Sequence, residues 1–112
     1  MKIILHPITK KVLVKNAESK FGSLVKAVVD IEKEIIVIGG ELHADEESIL
    51  LKRGSKQEFL WGINLYPKLT DENWIEFDSM INVRPSQNNY SRGVDDLKIR
   101  NKIIVVVNKL IK

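Results

Sequence analysis

Hydrophobic and polar positions alternate along much of this chain with two different periods. Ile3, Ile4 and Leu5 form a short apolar run that stops at His6-Pro7, which predicts a short edge strand at 2–5. Thr9 then stands where a helix N-cap belongs. Leu13, Ala17 and Phe21 follow at four-residue spacing and Gly22 closes the segment, so a helix is predicted over 9–21. The stretch after it offers a helical face through Leu24, Val28 and Ile31. However, Val25, Ala27, Val29 and Ile31 also alternate with Lys26, Val28, Asp30 and Glu32, and this β-branched period of two selects a strand at 24–31. A tight turn at 32–34 leads to a second strand at 35–39, which ends on Gly39-Gly40.

Acids at the front, bases at the back and a closing Gly54 predict a short helix after the glycine pair, with Asp45 as its cap. Alternation returns at 58–66 and again at 74–84, giving two half-buried strands joined by a loop at 67–73. A polar loop at 85–94 feeds a C-terminal helix at 95–111 with Ile99, Ile103, Val106, Val107 and Leu110 on one face. The order β-α-β-β-α-β-β-α contains two hairpins. It therefore predicts an α+β fold: a mainly antiparallel sheet of four to five strands with three helices packed on one face. Ile75, Phe77, Ile81 and Val83 are expected in the core with Val25, Val29, Trp61 and Ile63. The opposite face receives Lys26, Asp30, Asn64, Tyr66, Glu76, Asp78, Asn82 and Arg84.

At 112 residues the chain suits one domain, 1–112, since two separate cores would be too small. It has no cysteine, which excludes a disulfide scaffold, zinc–thiolate and iron–sulfur sites and thiol catalysis, and fits a reducing, cytoplasmic setting. No apolar run approaches the ~20 residues of a membrane span, so no membrane association is expected. The net charge of +3 is unevenly spread: residues 1–21 carry +4, 22–83 carry −6 and 84–112 carry +5. Basic ends suit a strip for phosphates, and equally the lysine-rich outer faces of terminal helices.

Three clusters carry candidate chemistry. Glu41, His43 and Asp45 alternate, so an extended backbone would aim two carboxylates and an imidazole at one divalent cation, with Asp30 or Asp78 as a further ligand. This is the set a metal-dependent hydrolase would need, although Asp45 serving as a helix cap would break it. The loop holding Arg84, Asn88, Asn89 and Arg92 precedes a helix start and suits a phosphate-bearing ligand or nucleic acid, helped by Asn64, Asp78 and Asp30. Its composition is also that of a solvated loop. Trp61, Tyr66, Trp74 and Tyr90 interleave with Asn64, Arg84 and Arg92 like a base-stacking surface, Trp74 being the better placed of the two tryptophans. Leu60, Trp74 and Met80 are candidates for an exposed apolar patch in a homodimeric structural or regulatory protein.

Five segments, 25–32, 40–45, 54–57, 60–67 and 78–87, together resemble the signature of a small prokaryotic single-domain family of unknown function. The resemblance spans nearly the whole chain and implies an intact single domain. It brings no activity, cofactor or catalytic residue with it, so the expected functions remain a binding module, an interaction protein or a metal-dependent hydrolase.

Overall fold

The β-branched alternation at 24–31 does form a strand, and that strand is central. The computed structural model describes residues 1–112. Strands β1 (Lys2–Ile4), β2 (Val25–Asp30), β3 (Ile35–Ile38), β4 (Leu60–Leu65) and β5 (Ile75–Glu76) form one antiparallel sheet in the order β1-β3-β2-β4-β5. Helices α1 (Lys10–Ser19), α2 (His43–Lys52) and α3 (Leu97–Leu110) complete an α+β fold in the expected order of elements.

The strand period divides the sheet into two buried faces. Val25, Ala27 and Val29 of β2, Ile36 and Ile38 of β3, and Trp61, Ile63 and Leu65 of β4 pack with Leu13 and Ala17 of α1 and Ile103, Val106, Val107 and Leu110 of α3. Val28, Val37 and Leu60 point the other way and meet Leu50 of α2, with Ile35, Ile49 and Ile81 around them. The three helices therefore do not share one face, which corrects the expectation from sequence. Because β2 is apolar on both sides, one helical layer leaves Val28 uncovered, and full burial of a valine is worth about 1.5–3 kcal/mol.

The second correction concerns 74–84, of which only Ile75–Glu76 pairs with β4. Beyond Phe77 the chain turns: Ser79 N–H donates to the Arg92 carbonyl at 2.9 Å, and Ser79 Oγ caps the single turn Met80–Asn82. Asn82 then takes the place of a strand. Its Oδ1 accepts from Gly62 N–H at 2.8 Å and its Nδ2 donates to the Gly62 carbonyl at 2.9 Å. As a result Ile81 lands on the α2 side and Val83 is exposed, rather than both lying with Phe77.

This arrangement needs a glycine at 62. A Cβ there would sit 2.6 Å from both Cβ and Oγ of Ser79. We expect Gly62→Ala to cost about 2 kcal/mol in urea unfolding, within the usual range for overpacking. A change under ~0.5 kcal/mol would mean that the 77–81 segment moves aside freely.

Candidate functional site

The expected metal set does not assemble. Helix α2 begins three residues earlier than its charge pattern suggested, with Leu42 rather than Asp45 at the N-cap position and no capping side chain. The cause lies in the glycine pair. Gly39 adopts φ +85°, and Gly40 approaches Glu46 so closely that a Cβ would lie 2.7 Å from Glu46 Cγ, so the chain is already winding at 43. His43 and Asp45 thus stand two apart on a helix and diverge, while Glu41 precedes it. His43 is buried and Glu41 and Asp45 are exposed, and nowhere do three or more histidine, aspartate or glutamate side chains converge as a cation site.

The polar loop also divides. Arg84 is only 8 % exposed, with its guanidinium 4.1 Å from the centre of the Trp61 ring and donating to the carbonyls of Gln57 and Leu60. Burial lowers its pKa and the Glu47 carboxylate opposes that shift. Committed in this way, Arg84 holds the end of β4 and has no free face for a ligand. Asn89 is buried as well: its Nδ2 donates to the carbonyls of Asn82, Ser91 and Gly93, and its Oδ1 accepts from Asp95 N–H. Asn88 is an exposed turn residue with φ +59°. Asp30 organises the β2–β3 turn, accepting from the N–H groups of Glu32 and Lys33 and from Ser55 Oγ at 2.6 Å.

Trp61 and Trp74 lie in the core, so no aromatic stacking surface forms, and Leu60 and Trp74 leave the expected apolar patch. Lys10 sits 4.3 Å from the Trp74 ring. Met80 alone of that trio stays exposed, at 64 %.

What the fold does bring together is a different subset. Lys26 of β2, the first turn of α2, Ser79, Met80, Ile81 and Arg92 enclose a cleft of about 170 Å³. Register places Lys26 opposite Asn64, and Asn64 Nδ2 donates to Glu76 Oε1 and to the Asp78 carbonyl. Arg92 Nε pairs with Asp78 Oδ1 at 2.7 Å; both side chains are about half exposed, so the pair itself contributes little to stability. His43 and Ala44 are the first two residues of α2, and their N–H groups have no intrahelical acceptor.

The imidazole of His43 is the most constrained group in the cleft. It is 8 % exposed, and its Nε2 lies 2.8 Å from the Ile63 carbonyl. A carbonyl only accepts, so Nε2 carries the proton and Nδ1 carries the lone pair. Nδ1 has no hydrogen-bond partner within the protein, nor is it sealed from solvent, which the ring meets at the cleft. Burial lowers the pKa of His43. The bond to Ile63 opposes this, Lys26 and Arg92 lower it further, and Asp78 raises it. The resting imidazole is therefore neutral at pH 7.

Sequence reasoning placed Lys26, Asn64 and Asp78 on this face but missed Ser79, which shares the parity of Phe77 and Ile81, and misread the backbone at His43. A hollow formed by Ser19, Lys20, Phe21, Glu41 and Leu42 shares Leu42 with the cleft, and Lys26 reaches to 5.6 Å from the Phe21 ring between the two. Elsewhere, a hollow of about 350 Å³ between Ile31, Glu34 and α3 is lined mainly by aliphatic groups and holds no buried ionisable group.

Fold and cleft together define a small α+β domain with a cation-flanked recess beside a helix start. Residues 2–110 match the family described as "Protein of unknown function (DUF5674)", and the chain belongs to that family. No curated protein and no solved structure matches it. No helix is long and apolar enough to cross a membrane.

Proposed function

We propose that this chain is a binding module for a small phosphate-bearing ligand, held in the cleft between the start of α2 and the 78–81 segment. The observation that carries this reading is the convergence of Lys26 and Arg92 on the two uncapped N–H groups of α2 beside an unpartnered His43 nitrogen. Helix N–H groups and two cations favour a dianion, and Ser79 adds a hydroxyl. The recess suits one phosphate group rather than a duplex. The apolar and aromatic side chains of the adjoining hollow, Phe21 and Leu42, suit the rest of a ligand. Asp78 competes for Arg92, so an entering anion must share or displace that carboxylate.

Titration with inorganic phosphate, pyrophosphate and a nucleoside monophosphate, followed by amide chemical shifts, tests this. We expect saturable shifts at His43, Ala44 and Ser79. Affinity should fall about three- to tenfold for Lys26→Ala and for Arg92→Ala, rise for Asp78→Asn, and weaken with salt. Shifts confined to the exposed lysines of α1 and α3, or tighter binding to mixed oligonucleotides that ignores Lys26, would overturn it.

A further inference from the structure

We infer that His43 Nδ1 is a phosphoryl acceptor, modified covalently by an acyl phosphate bound in this cleft; the inference rests on the phosphate-binding reading and extends it. Three independent features favour transfer over simple binding. The tautomer is fixed, because the Nε2 proton is held by the Ile63 carbonyl at 2.8 Å, so the lone pair always resides on Nδ1. No hydrogen bond within the protein engages that nitrogen, and His43 as a residue is only 8 % exposed, which orients the ring. The cleft that His43 lines is bounded by Lys26, Arg92 and Ser79 and by the first turn of α2, the donors that would hold a phosphoryl group once it is attached.

The step balances without a further reactant. The Nδ1 lone pair attacks phosphorus, the N–P bond forms, and the P–O bond to the acyl group breaks, with its electron pair leaving on the carboxylate. The proton on Nε2 stays where it is, so the product is a phosphoryl-imidazolium whose N–H still donates to the Ile63 carbonyl. Its positive charge offsets part of the new negative charge, and Lys26 and Arg92 offset the rest. No acid lines the cleft; Asp78 is the one carboxylate whose charge acts on His43, and it is paired with Arg92 Nε. A neutral imidazole is a ready nucleophile, whereas a protonated one has no lone pair to give.

The chain supplies its own control, since its only other histidine, His6, is exposed. The intact protein, incubated with acetyl phosphate at neutral pH, should gain one phosphoryl group by mass. The adduct should be stable in alkali and lost in acid, and peptide mapping should place it on His43 at least about tenfold faster than on His6. Lys26→Ala and Arg92→Ala should slow labelling about tenfold. His43→Gln should abolish it while leaving His6 as reactive as before.

Equal labelling of the two histidines, or the same selectivity in urea-unfolded chain, would overturn the inference, as would a label on serine or lysine. Inorganic phosphate separates binding from transfer. Saturable phosphate binding at His43 without transfer from acetyl phosphate would sink the acceptor role and leave the binding module standing. Loss of both would remove the cleft as a phosphate site altogether.

Discussion

Raising the pH from 6.5 to 8 is expected to destabilise the native state by about 2 kcal/mol, because Glu46 must then ionise where no water reaches it. Its side chain is fully buried: Oε2 accepts from Gly40 N–H at 3.0 Å and Oε1 has no partner. Burial pushes the carboxyl up from 4.5 to about 8, while the Gly40 bond, Lys26 and the Met1 amine pull it down and Asp45 pushes it up. The native state therefore keeps a proton that the unfolded chain releases above pH 4.5. Stabilisation is complete below that value and is lost as pH rises through about 8, with roughly 5 kcal/mol as the full span. His43 acts oppositely and lower down: its depressed pKa contributes stability above 6.5 that is lost on acidification. Between 6.5 and 8 Glu46 acts without that opposition. Glu46→Gln should flatten this limb of the urea-midpoint profile and exceed the native protein in stability at pH 9. A native profile that is flat from 6.5 to 9 would show that the carboxyl titrates normally.

Asn82→Ala should cost about 3–5 kcal/mol, among the largest effects of any polar substitution in the chain. Asn82 has no exposed surface, and its amide carries both bonds to Gly62 together with one to the Arg92 carbonyl at 3.0 Å. Truncation leaves the N–H and C=O of Gly62 buried beside an apolar methyl, and each such orphan costs about 1–3 kcal/mol. It also loosens Arg92 at the rim of the cleft, so phosphate affinity should fall with stability. Urea denaturation checks the first effect and the amide titration the second. A loss under ~1 kcal/mol would mean that water or a shifted backbone replaces the amide.

Much of this fold was legible because period and composition agreed. At β2 and β3 the β-branched alternation, the turn at Glu32–Glu34 and the glycine stop all pointed one way, and α3 showed an uninterrupted apolar stripe with Asp96 accepting from Lys98 N–H as its cap. Residues 74–84 misled because Phe77, Ile81 and Val83 keep strand parity through a segment that leaves the sheet. Only the mutual fit of Gly62, Ser79 and Asn82 reveals that departure, and it joins residues about twenty apart. The site was half legible for a related reason. Alternation aimed Lys26 and Asn64 at the correct face, but side-chain chemistry alone does not separate a solvent-facing arginine from a buried one. Arg84 and Arg92 look alike in sequence; one stacks on Trp61 and the other rims the cleft.

The replacement of a strand by side chains along β4 has a consequence for how this molecule meets copies of itself. A fully extended 74–84 would have given the sheet a long outer edge, its backbone donors and acceptors unpaired and open to strand addition and eventually fibrillar stacking. Instead the outer strands β1 and β5 are three and two residues long, and the longer apolar strands β2, β3 and β4 lie inside. Where β5 stops, the Gly62 and Leu60 groups that would bond a further strand are already held by Asn82 and Arg84. A neighbouring chain finds only a few rungs to grip.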